Sequence, residues 1–446
     1  MGGEQTVGVG VRPMVRIKRC RDDLRQCWKA FGVRGAHVWA VGEMRMAFYR
    51  RVLGIALLGS ASVLSSSMLA GCGSFFSCEG KTSCGGGTTT VTNTGDFVYV
   101  SNPSNVTDIS GYTITSGALA AISGADIDLG YVPIAMVVAP SNGFLYVASR
   151  ADAPSPGPGV YVYAISSTGA LTLGNNGNPF STDDGISSID ISPDGNYLYT
   201  VGTPSTSGLT NLTEYQLNTT TGLTIASTIY FTPLTTCAID VNAIPLSQQC
   251  TVKVSPNGNY VGVALGSYGF EVFPYSSTLG VTNTPQLSPS TKYAAFSLAF
   301  DTNNYLYVAS TSTDSTSALT SYGGLGATAA VQEDQATYAS GVKPRSVTVS
   351  GTSYVYTANE STGKISGFSL PGSGKLTSLG TPTTGPSNVS ALGVDSTGKY
   401  LVAAGFSATN GLQVFNITST GALTSAGTPT GTGVYSTIPI VMALSH

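Results

Sequence analysis

SIDISPDGNYLYTVG, residues 188–202, consists of two short apolar runs around a turn. In its Pro-Asp-Gly-Asn core, proline fixes φ, while glycine and asparagine tolerate the left-handed region. The flanking residues are short apolar runs bounded by turn residues, with aromatics set among smaller side chains. The segment therefore reads as a β-hairpin. Its second strand, YLYTVG (197–202), has six counterparts: FVYVSN (97–102), FLYVAS (144–149), YVGVAL (260–265), YLYVAS (305–310), YVYTAN (354–359) and YLVAAG (400–405). A strand and turn precede most copies, as in IAMVVAPSNG (134–143), VKVSPNGN (252–259), SLAFDTNN (297–304), SVTVSGTS (346–353) and LGVDSTGK (392–399). A third strand follows, as in VYVYAI (160–165), LTEYQL (212–217), FEVFPY (270–275), ISGFSL (365–370) and LQVFNI (412–417). A fourth comes after a glycine turn, as in GALTL (169–173), GLTIA (222–226), GKLTS (374–378) and GALTS (421–425).

Four short antiparallel strands per unit, repeated radially, are the signature of a propeller, in which neighbouring sheets bury one another's faces. The first unit has strands at 97–102, 109–114 and 117–122 but no first strand of its own. The C-terminal IPIVMALSH (438–446) resembles IAMVVAPS (134–141) and can supply it. Closure of this kind removes exposed sheet edges. The expectation is an all-β, seven-bladed β-propeller over 95–446, with four-stranded antiparallel blades, closed where the C-terminal strand joins the N-terminal blade.

The Tyr-Val-Ser-Asn and Tyr-Thr-Ala-Asn pieces, SPDGNYLY and the closing Gly-Ala-Leu strands resemble YVTN-type repeats. Together they are similar to the lactonase family, the seven-bladed propellers related to 6-phosphogluconolactonase. That resemblance implies a site at or near the central channel. Relatives often continue the Tyr-Val motif with Asn-Arg-Gly. The matching positions here are Ser149-Arg150-Ala151, Asn359-Glu360-Ser361 and Ser101-Asn102-Pro103, so only Arg150 keeps the arginine. Arg345 precedes SVTVS and is expected on the same face. Opening a lactone needs a base for water and donors for the developing oxyanion. Arg150 and Arg345 are candidate oxyanion or carboxylate binders, and Glu360 and Asp152 candidate bases. The bland reading makes the same residues solvated or inter-blade contacts. A phosphosugar would call for more basic groups around its phosphate. No histidine is expected in the channel, because His446 closes the final segment. Asp183, Asp184, Asp190 and Asp194 cluster in one blade, but their spacing matches no EF-hand, and Asp194 belongs to its turn. Neither metal nor cofactor is expected.

The N-terminal part reads differently. Arg45, Arg50 and Arg51 precede an apolar run from Val52 to Met68, the layout of a secretory signal. Leu69-Ala70-Gly71-Cys72 resembles the bacterial lipobox, which implies cleavage before Cys72 and acylation of that residue. The chain then divides into 1–43, a misassigned or extended start; 44–71, a lipoprotein signal peptide; 72–94, a Gly/Ser/Thr-rich tether; and 95–446, the propeller. Residues 72–446 carry nine basic and nineteen acidic side chains, a formal charge near −10. That balance repels nucleic acid, which is excluded as a partner. Cys78, Cys84, Cys237 and Cys250 remain, an even number suited to an oxidising compartment. The simple pairing is Cys78–Cys84 and Cys237–Cys250, with other pairings open. The partners implied are a lipid bilayer, reached through acylated Cys72 in the cell envelope, and a small lactone, a glycan or a protein. Two functions stand: a lactonase-like hydrolase, or an anchored binding propeller.

Overall fold

The structure is a computed structural model. It describes residues 96–446 apart from 103–104, 106, 181–184, 204–208, 232–249, 282–285, 288–292, 313–316, 326–330, 339–342 and 433–439. The expected signal peptide, tether, Cys72, Cys78, Cys84 and Cys237 lie outside the described residues, as do Asp183 and Asp184. Cys250 is disulfide-bonded. No helix among the described residues is long and apolar enough to cross a membrane.

Seven antiparallel sheets form the seven blades. Their inner strands are Met442–Leu444, Pro133–Val138, Ile186–Ile191, Thr251–Val254, Tyr293–Phe300, Pro344–Ser350 and Ala391–Val394, for the first to the seventh blade. Closure is as expected. Phe97–Asn102 pairs with Met442–Leu444 on one side and Asp108–Thr115 on the other. The Phe97 N–H donates to Ser445 Oγ at 2.7 Å, and the Val441 N–H to Ser101 Oγ at 3.0 Å. The fifth blade adds strands Ser317–Gly323 and Val331–Tyr338, which the repeat alignment does not pick out. Neither has the alternation of large apolar residues seen in VYVYAI or FEVFPY, because SALTSYG buries small polar side chains.

The second strands carry the core. Tyr99, Tyr146, Tyr199, Tyr307 and Tyr356 occupy one repeat position and are fully buried, each contributing roughly 2 kcal/mol through apolar area alone. The hydroxyls of Tyr99, Tyr199, Tyr307 and Tyr356 each donate a hydrogen bond. Tyr99 and Tyr356 donate across to the next blade, to the carbonyls of Gly169 and Gly421, each at 2.8 Å. At Gly421 φ is +80°, and an added Cβ would lie 2.4 Å from the Tyr354 ring. Gly421→Ala is therefore expected to destabilise the ring by about 2–4 kcal/mol, combining backbone strain with overpacking. A shifted denaturation midpoint at unchanged slope is the check.

Hydroxyls also stitch inner strand to inner strand. Ser188, Ser297 and Ser346, at one repeat position, accept the N–H groups of Val252, Val347 and Leu392 in the following blades, at 3.1–3.3 Å. These bonds satisfy donors on strand edges that face the ring axis.

Candidate functional site: the central channel

The inner strands enclose a cavity of about 520 Å³ along the axis. Its upper end is where inner strands begin and the connections between second and third strands lie. Arg345 and Glu360 both line it. The Arg345 Nε–H donates to Glu360 Oε2 at 2.9 Å, with the side chains 8% and 15% exposed.

Local backbone explains the meeting. The strand Pro344–Ser350 contains Arg345 rather than following it, but Arg345 is the extra residue of a β-bulge between Pro344 and Ser346. A bulge re-aims a side chain, often beside a functional site. Phe296, at the same repeat position one blade earlier, is likewise the extra residue of a bulge. Its ring lies under the Arg345 guanidinium, 5.2 Å from centroid to Cζ. Glu360 opens a single 3-10 turn, Glu360–Thr362, which ends at Gly363 with φ +60°. Its N–H donates to the Lys343 carbonyl at 2.9 Å, fixing the turn against the start of the inner strand.

Arg150 and Asp152 are placed elsewhere. They pair with each other, Nε donating to Oδ1 at 2.6 Å and Nη2 contacting Oδ2, and neither lines the channel. The Arg150 hydrogen bond holds the Asp152 carboxyl below its ordinary value. Of the four candidates, the structure brings Arg345 and Glu360 into one site and leaves the other two as a self-satisfied surface pair.

Two further charged residues line the channel, and sequence reasoning missed their role. Asp190 Oδ2 accepts the Val254 N–H at 2.8 Å, and its Oδ1 lies 3.4 Å from Lys253 Nζ. The signal was available in the repeat. Aligned on the turn that follows, the other five inner strands carry Val137, Ala299, Thr348, Gly393 and Ala443 where Asp190 and Lys253 stand.

The expectation of a channel without histidine is corrected. His446 lines its lower end, because the closing strand, Met442–Leu444, is itself an inner strand and His446 follows it by two residues. Asn142 holds it: the His446 N–H donates to Oδ1 and Nδ2 donates to the His446 carbonyl, both at 2.7 Å. Its Nε2 lies 2.9 Å from the Val138 carbonyl. Among the described residues, no group of three or more His, Cys, Asp or Glu side chains is placed to hold a metal.

Chemically, the upper end offers a carboxylate that can take a proton from water and a guanidinium fixed beside it. The wall between the two charged pairs is mostly neutral, with Ser297, Ser346 and Thr348 among its residues.

Comparison with known proteins agrees with this architecture. Residues 305–434 match the family described as lactonase, 7-bladed beta-propeller. A proposed 6-phosphogluconolactonase from Bacteroides uniformis superposes with a TM-score of 0.57 at 16% identity, covering 78% of this chain and 99% of its own. A second, from Bacteroides fragilis, gives 0.57 at 14%, covering 80% and 99%. The periplasmic gluconolactonase of Pseudomonas aeruginosa gives 0.53 at 14%, covering 75% and 97%. At such identities the likeness is one of fold. No curated protein sequence matches the chain. With its seven blades closed in a ring, this chain is a seven-bladed β-propeller, and residues 305–434 carry the likeness to the lactonase family.

Proposed function

We propose that the chain is an exported, lipid-anchored lactone hydrolase whose site is the upper end of the channel. The observation that carries this reading is the Arg345–Glu360 pair, set by a bulge and a short turn into the wall of a ligand-sized cavity. Glu360 takes a proton from water as its oxygen attacks the lactone carbonyl carbon. The Arg345 guanidinium stabilises the oxyanion of the tetrahedral intermediate. The ring C–O bond then breaks, and Glu360 returns the proton to the leaving alkoxide, giving the open hydroxy acid. Cleavage before Cys72 and its acylation would hold the propeller at a membrane of the cell envelope. Two or more acyl chains are needed for stable anchoring.

The test is pH-stat titration of sugar and acyl lactones with the purified full-length chain. Opening of at least one lactone well above its spontaneous rate is the expected result. If none is opened faster than in buffer, the hydrolase reading fails. The binding propeller, which the hydroxyl-bearing channel wall favours, then takes its place, and glycan capture becomes the measurement.

A further inference from the structure

The Lys253–Asp190 pair plays no part in the chemistry above, yet it lines the same cavity. Counted on the turn that follows each inner strand, Arg345 occupies the repeat position of Cys250, and Lys253 lies three positions further along. That is about 10 Å of strand at the usual rise. The channel therefore carries charge at two depths, with neutral and hydroxyl side chains between.

The two members of the deeper pair differ in freedom. Asp190 is fixed, since one carboxylate oxygen accepts the Val254 N–H at 2.8 Å and its side chain is only 12% exposed. The Lys253 side chain is 45% exposed and its amine sits at 3.4 Å from the other oxygen, a loose contact. A lysine ammonium is a compact charge with three donors on a flexible stem, able to turn from one acceptor to another. No other blade supplies a charge at this repeat position. A single ammonium, already shared with a carboxylate, suits a monoanion. A phosphate dianion is ordinarily met by several charged donors or a bidentate guanidinium.

We infer that Lys253 is a second recognition point of the channel, binding a carboxylate at the far end of the ligand. This rests on the hydrolase reading for the reacting end, and it narrows the substrate class to a lactone that also bears a free carboxylate, such as the monolactone of a sugar diacid. Asp190 holds the amine when no ligand is present and competes with the ligand for it.

The experiment is calorimetric titration of the full-length chain with glucarate and gluconate, which differ in the second carboxylate, alongside hydrolysis of glucaric acid monolactone and gluconic acid γ-lactone. The wild-type chain is expected to bind glucarate about tenfold more tightly than gluconate. Lys253→Met should erase that preference. Asp190→Asn should move glucarate affinity in the opposite direction, tightening it about threefold by removing the competitor. Damage to the fold would weaken binding in both variants, so opposite signs separate recognition from structure. A glucarate preference that survives Lys253→Met, or no preference in the wild type, overturns the inference. Hydrolysis of the neutral lactone without any such preference removes the second recognition point and keeps the hydrolase. A Lys253-dependent preference without hydrolysis of either lactone does the reverse.

Discussion

Glu360→Gln is expected to lower the rate of lactone opening by roughly a hundred- to ten-thousand-fold, the range a positioned general base contributes, with the ring still folded. The substitution is informative because it changes one property. The amide oxygen of glutamine can still accept from Arg345 Nε, now at 2.9 Å from the carboxylate, so the pair keeps its geometry and loses its base. KM should change little, since a glutamine of the same shape still lines the wall. Arg345→Met behaves differently. It leaves the Glu360 carboxylate, 15% exposed, without its cation, and removing one partner of such a pair costs about 3 kcal/mol in stability. Steady-state kinetics with denaturation of both variants therefore separates loss of chemistry from loss of fold. Equal damage to stability in both, with no selective loss of turnover in Glu360→Gln, would show the pair to be structural.

Alkaline pH is expected to weaken the propeller through Glu271. This residue lies in the strand Phe270–Ser276 and is 2% exposed. By strand alternation it shares a face with Phe273, which packs against Tyr199, Val201 and Leu212 of the third blade. No hydrogen bond reaches its Oε2 among the described residues. Burial pushes its carboxyl up from the ordinary 4.5 to about 7. The folded state thus holds a proton that the unfolded state has already released. Stability from this group is complete below pH 4.5 and declines as pH rises toward 7. Above that it is lost, about 3 kcal/mol in all by linkage. Glu271→Gln cannot ionise. It should match the wild type at pH 4.5 and exceed it at pH 9 by about 2–3 kcal/mol, a rise of roughly 5 °C in Tm. Glu214 faces the same interface, and burial raises its carboxyl too. It accepts from the Tyr199 hydroxyl and the Val281 N–H, each at 2.7 Å. Some pH dependence should therefore persist in Glu271→Gln. Parallel pH profiles for wild type and variant would refute the assignment.

The ring was legible in the sequence because its determinants are local. Each hairpin turn states its own geometry, and each second strand is a short apolar run, buried on both faces of its sheet. The closing strand was legible by its likeness to IAMVVAPS. Strands without such an apolar run, such as Ser317–Gly323, take their place from neighbours on either side and leave little trace. The site was only half legible. Arg345 and Glu360 stand out as rare charged residues beside the repeats. Their pairing depends on a bulge, which is a register event between two strands. Lys253 stands between two valines in VKVSPNGN, a polar residue in a short strand like many others in the repeats. That its side chain faces the central channel follows from the inner position of its strand, which only the assembled ring defines. Arg150 was the closest match to the family motif, yet Asp152 two residues on satisfies it first.

The closing contacts join residues 340 and 348 positions apart. Six blades assemble from strands that are neighbours in the chain, so their loops close at small entropic cost. The first blade cannot, since its inner strand, Met442–Leu444, lies far along the sequence from its other strands. Folding order is thereby written into the topology. A chain released from its N-terminus onward holds an incomplete first sheet with an open edge until residues 440–446 arrive. Residues 440–446 are thus the latch between the two ends of the ring.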